Sequence, residues 1–314
     1  MRDGPGIGYR VQGTGQEKRI GEIVPRSFFS RLQQPVIDSR ETLVYERSMI
    51  QGLPEPVRAI LDTLRDVTGR DVLFVRKPDL KSLARIRMAG GASASHVLFY
   101  RDEQDPRIHH VIANECGHLI RLFVAPPGKR LVAVANERTQ ASYREVIRED
   151  IQRLSLIHGL DTLRTFIPLW YESVVFQLTR MPSDIMIERW LCEEYPEMRD
   201  IQLAALREQH EKAVSVLSGN IRRMTPGKIY EVSQIMNYVF FRLAGELLGI
   251  RLIDAYEKSR YILEGEELAI WTADHYSEDH EGDVSVIDTW ARALKLSEWF
   301  EWRRFDEISQ DPLH

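Results

Sequence analysis

The chain has 314 residues, 43% hydrophobic and 28% charged, a composition that excludes wholesale disorder. Its 42 basic and 47 acidic residues leave a net charge of −5, which argues against a generally basic nucleic-acid binder. No apolar run reaches the ~20 residues of a membrane-spanning helix, and the start, Met1-Arg2-Asp3-Gly4-Pro5-Gly6, lacks the apolar segment of a secretory signal.

Cys116 and Cys192 are too few for a disulfide framework, so a reduced, cytoplasmic protein with no membrane partner is expected. Residues 1–25, rich in glycine and charge, read as a flexible arm, and helical signal begins near 26–32. A clearer helix spans 55–67, opened by Pro56, striped by Val57, Ile60, Leu61 and Leu64, and stopped by Gly69. The period then changes. Residues 71–75, 83–88 and 95–100 read as three strands, with Gly90-Gly91 turning between the last two, and together predict a small antiparallel sheet.

From Pro106 onward the pattern is almost wholly helical. Helices are expected over 107–123, 137–158, 163–180, 183–194, 199–217, 228–248, 252–261 and 284–303, with a short hairpin possible around 126–134. The acidic stretch 277–283 reads as a solvated loop, and the loose cluster His275, Asp279, His280 and Asp283 has no regular ligand spacing. Trp290, Leu294, Leu296, Trp299, Phe300, Trp302 and Phe305 read as core or protein contact. The predicted class is α+β and predominantly α-helical: an arm (1–25), a core with the small sheet and one chemistry-bearing helix (26–195), and a helical C-terminal region (196–314).

That helix contains Ile108-His-His-Val-Ile-Ala-Asn-Glu-Cys-Gly-His-Leu-Ile-Arg121. At about 100° per residue, His110, Asn114, His118 and Arg121 form one file some 80° wide. Ile108, Val111, Ile112, Cys116, Leu119, Leu122 and Phe123 occupy the apolar arc, and Glu115 falls inside it. A carboxylate there must be paired, metal-associated or neutralised, because burying it alone costs several kcal/mol.

Asn114-Glu115-Cys116-Gly117-His118 resembles the HExxH helix of the zincin metallopeptidases, with asparagine at the first histidine position. Its surroundings, from Ser95 to Val124, are similar to the ImmA/IrrE-type peptidases. The resemblance implies a zinc cofactor held by His118 and a downstream carboxylate, with Asn114 at the first-ligand position and Glu115 as general base for peptide hydrolysis. It also implies that His96, Val97 and Leu98 form the edge along which an extended peptide substrate adds.

An amide oxygen is a weak zinc ligand beside an imidazole. His110 cannot replace it, since eight helical residues place it about 12 Å from His118; pairing with Asn114 or contact with substrate is its expected role. Glu172 and Glu188 are the two candidates for the downstream ligand; Asp184, one turn before Glu188, has an alternative role at a helix start. Arg121 either holds a substrate carboxylate or pairs near the helix end. Three functions remain open: a zinc peptidase, an inactive relative that keeps the cleft to bind, sense or regulate through a peptide or protein partner, or a regulatory or structural helical scaffold in which the NExxH match is chance. Arg85 and Arg87, alternating on one strand, offer a small anion-facing surface.

Overall fold

The computed structural model describes residues 52–90, 93–101 and 104–308, so the expected arm and the helical signal at 26–32 lie outside the described residues. Helix α1 (Glu55–Thr68) forms as its stripe predicts: Val57, Ile60 and Leu64 are fully buried, and Gly69 ends it at φ 66°. Only glycine takes that left-handed conformation without a Cβ penalty.

Three strands follow, β1 (Asp71–Arg76), β2 (Ala84–Arg87) and β3 (Ser95–Tyr100). The sheet is mixed rather than antiparallel throughout: β3 lies in the centre, parallel to β1 and antiparallel to β2. A central strand is covered on both sides, and β3 accordingly buries five of its six residues. Helix α2 (Ile108–Val124) packs its apolar arc on α1 and the sheet, forming a core with Leu98, Tyr100, Ile112 and Cys116.

The rest is helical: α3 (Glu137–Val146), α4 (Arg148–His158), α5 (Leu160–Glu194), α6 (Arg199–Ser215), α7 (Gly219–Met224), α8 (Gly227–Leu248), α9 (Ile262–Asp274), α10 (His280–Ala293) and α11 (Phe305–Ile308). The predominantly helical α+β class therefore holds, and no helix among the described residues is long and apolar enough to cross a membrane.

Several boundaries differ from expectation. The segment 137–158 is two helices meeting at Ile147. The two helices expected on either side of Met181-Pro182 are one 35-residue helix, α5, which carries both Pro168 and Pro182 internally. Burial of the α5 face against α2 and α8 outweighs the lost backbone hydrogen bond at each proline. Residues 252–261 give only a single 3₁₀ turn, Asp254–Tyr256. The last long helix stops at Ala293, where Lys295 adopts φ 57°, and β5 (Glu301–Arg304) then pairs with β4 (Leu131–Val134). The strand at 131–134 thus finds its partner at 301–304 rather than in a local hairpin.

A second, larger core joins α5, α8, α9 and α10 around Phe240, Phe241, Trp290 and Trp299, so Trp290 and Trp299 are core residues, with Trp302 partly buried against them. Helix α5 contributes to both cores and packs Ile187 onto Gly117 of α2. A Cβ on Gly117 would lie 2.8 Å from Ile187 Cγ2, a distance real Cβ atoms do not tolerate. Gly117→Val should therefore lower the unfolding free energy by roughly 1–3 kcal/mol. Adding Ile187→Ala should recover part of that loss in a denaturant-melt double-mutant cycle; strictly additive losses would contradict the close approach.

Candidate functional site

The close approach at Gly117 lets short polar side chains on α2 and α5 meet in three rungs. At the first, His110 Nε2 lies 2.9 and 3.1 Å from the two carboxylate oxygens of Glu188, and Gln202 of α6 donates to Glu188 Oε2 at 2.6 Å. At the second, Asp184 Oδ1 lies 2.7 Å from His118 Nε2 and accepts from Asn114 Nδ2 at 3.1 Å. At the third, Arg180 donates to Glu115 Oε1 at 2.8 Å, while the backbone N–H of Ile86 in β2 reaches Glu115 Oε2 at 3.3 Å. Positions 180, 184 and 188 repeat every four residues, so they share one face of α5; Asp184 and Glu188 meet the polar file of α2, and Arg180 meets Glu115.

This resolves the contradiction at Glu115. The carboxylate lies among apolar neighbours but is held by a guanidinium and a backbone N–H, so its charge is compensated. The first two rungs are buried, with His110, Glu188 and Asp184 each under a tenth exposed. Removing one partner of such a pair strands the other and costs about 3–5 kcal/mol.

Beside the rungs lies a cavity of about 990 Å³, bordered by β2, α2, α5, α6 and α8. His110, Asn114, Glu115, Arg180, Asp184 and Glu188 all line it. Burial lowers the His118 pKa, Arg180 adds to this, and the Asp184 carboxylate opposes it. Asp184 itself is pushed up by burial, but the His118 ring, Arg180 and the Asn114 amide outweigh that and hold it at about 2. An ionised Asp184 can only accept, so His118 donates Nε2–H to it, with an arginine nearby.

Of the residues singled out from sequence, Asn114, Glu115 and His118 are brought together by α2 as their spacing required. Other expectations need correction. His96, Val97 and Leu98 belong to the central strand, are buried, and do not line the cavity. The strand at the cavity edge is β2, because β3 is sandwiched between its two neighbours.

Glu188 is near the site but bonds His110, which itself lines the cavity. The carboxylate at His118 is that of Asp184. Glu172 is twelve residues earlier on α5, about 18 Å along the axis, and cannot reach His118. Its carboxyl is raised by burial, with Lys81 opposing.

Arg121 does not face the cavity. It makes two 2.7 Å bonds to Asp283 and donates to the carbonyls of Ser277, Glu278 and Asp279. The acidic stretch is therefore tied to α2 through its backbone carbonyls and the buried Asp283, while Glu278, Asp279 and Glu281 remain exposed. Arg180 and Gln202 were missed from sequence; the only signal was the four-residue spacing that Arg180 shares with Asp184 and Glu188.

Among the described residues, no group of three histidine, cysteine, aspartate or glutamate side chains is placed to hold a metal ion. Comparison of the chain with protein-family models, curated proteins and solved structures finds no match.

His96 has a structural role instead. Its Nδ1 accepts from the Ala89 N–H at 3.1 Å, and burial with the nearby Arg70 charge lowers its pKa from 6.5 to about 4. Such a group binds fewer protons folded than unfolded between those values, so stability should fall as pH drops from 6.5 towards 4. In thermal melts across that window, His96→Asn keeps an acceptor for Ala89 and should reduce the pH slope by about one proton. An unchanged slope would contradict the assignment.

Proposed function

We propose that the chain is a metal-independent binding module on a zincin-like helix pair, with a cleft that accepts an extended peptide. The observation that carries this reading is the 2.8 Å pair between Arg180 and Glu115. In the metallopeptidases that the NExxH helix resembles, the glutamate acts on water polarised by a dication. Here the glutamate is held by a fixed guanidinium.

The remaining donor set does not fit zinc. A catalytic zinc site uses three protein ligands drawn from imidazole, thiolate and carboxylate. His118 and Asp184 supply two, and the third position is the neutral amide of Asn114, whose Nδ2 faces Asp184. Arg180 is close enough to influence both His118 and Asp184 electrostatically, and a dication placed between them would be repelled by it.

The cleft supports peptide binding through β2. This strand has one neighbour, β3, and its other edge borders the cavity, with the Ile86 N–H turned outward to Glu115. A strand edge beside a cavity is the geometry in which a peptide adds by backbone hydrogen bonds, here in exchange for the Glu115 contact at Ile86.

Calorimetric titration with zinc tests the proposal. The unaltered chain should take up no zinc at stoichiometric protein concentration, and Asn114→His combined with Arg180→Ala should create a one-to-one site. Stoichiometric zinc binding by the unaltered chain would contradict the proposal and return the cleft to hydrolysis with Glu115 as base.

A further inference from the structure

Charge around the cavity is unevenly committed. Seven lysines and arginines line it against four aspartates and glutamates, in a chain whose net charge is −5. All four carboxylates are already engaged: Glu115 by Arg180, Asp184 by His118, Glu188 by His110, and Glu208 by Arg107 and Lys212. Lys81, Arg87 and Arg101 make no ion pair within 4.0 Å among the described residues, although Lys81 acts on Glu172 and Arg101 on Asp105 from farther away, and all three stand on or beside β2. Arg87 is exposed and rests its guanidinium 5.8 Å from the Phe99 ring centroid, which fixes its direction without neutralising it.

The opposite wall carries a different chemistry. Gln177 on α5 and Asn237 on α8 both line the cavity and are 5% and 1% exposed. The side-chain Oε1 of Gln177 and Nδ2 of Asn237 have no hydrogen-bond partner among the described residues. Buried amides in folded proteins are almost always satisfied, so two incompletely bonded ones on one cavity wall call for a ligand with amide groups of its own.

We infer that the occupant of the cleft is an acidic extended peptide, its carboxylates met by Lys81, Arg87 and Arg101 and its backbone amides by Gln177 and Asn237. This rests on the peptide-cleft reading and adds the charge of the ligand to it. The edge of β2 sets the peptide's direction, and side chains two residues apart along it would project to the same side, the spacing at which basic residues also repeat on β2. The basic lip would steer an anionic chain to the cavity despite the overall negative charge of the protein.

The test is fluorescence anisotropy of the full chain with three labelled peptides of equal length, alternating valine with glutamate, serine or lysine, at low and high salt. The glutamate peptide should bind roughly fivefold or more tightly than the serine peptide, and salt should remove the difference. Lys81→Glu with Arg87→Glu should abolish the preference while leaving the melting temperature unchanged. If the double variant fails to fold, the salt dependence of the unaltered chain decides. Equal, salt-independent binding of the serine and glutamate peptides would overturn the acidic preference and leave the cleft reading standing. Binding of none of the three would overturn both, and tighter binding of a labelled oligouridylate than of the glutamate peptide would overturn the inference in favour of nucleic acid.

Discussion

The contact between α2 and α5 governs the site. Gly117 removes the Cβ that would strike Ile187, and the two backbones then come near enough for an aspartate, one of the shortest charged side chains, to span from one helix to the other. Three polar rungs at helical spacing fill the resulting seam, and each places a carboxylate against a partner that compensates its charge. Carboxylates that would be prohibitive alone in this setting become acceptable as pairs, and the pairs fix how the helices register. Arg121, docked on the 277–283 segment, ties the exposed side of α2 to the start of α10 in the same way.

The electrostatic character of the site follows from which cation is present. A guanidinium spreads its charge over a plane and delivers directed N–H bonds, whereas a dication concentrates charge on an open coordination position. On the binding-module reading proposed above, Arg180 stands at Glu115 where a peptidase would need a dication, and the cleft holds and orients hydrogen-bonding groups. An arginine covalently attached to α5 also makes the charge permanent, independent of any ion in solution. The proposed binding through a strand edge and a charged lip would need no further group.

Much of the fold was legible in the residues. The stripe on α1 with its closing glycine, the three strands and the polar file of α2 rest on local periodicity, which a single sequence carries well. The non-local features were not legible. The place of β3 in the middle of the sheet depends on which strands pair, and periodicity does not report pairing. The continuation of α5 through Pro182 depends on burial against two other helices, a tertiary effect that overrides the local penalty. Strand β5 read as helix because aromatic residues at 299–302 fit either period until β4 captures them. In the site, NExxH identified α2, but the choice of Asp184 rather than Glu172 or Glu188 at His118 required the relative placement of two helices distant in the chain. The role of Arg180 needed the same knowledge.

The state of the His118 ring reports on the central claim most directly. Long-range ¹H–¹⁵N spectra of the imidazoles, recorded with and without one equivalent of zinc, distinguish a ring donating to Asp184 from a ring ligating metal. The account predicts a neutral His118 with its proton on Nε2 and resonances that do not move when zinc is added. A deprotonated Nε2 whose shift changes on zinc addition would contradict it.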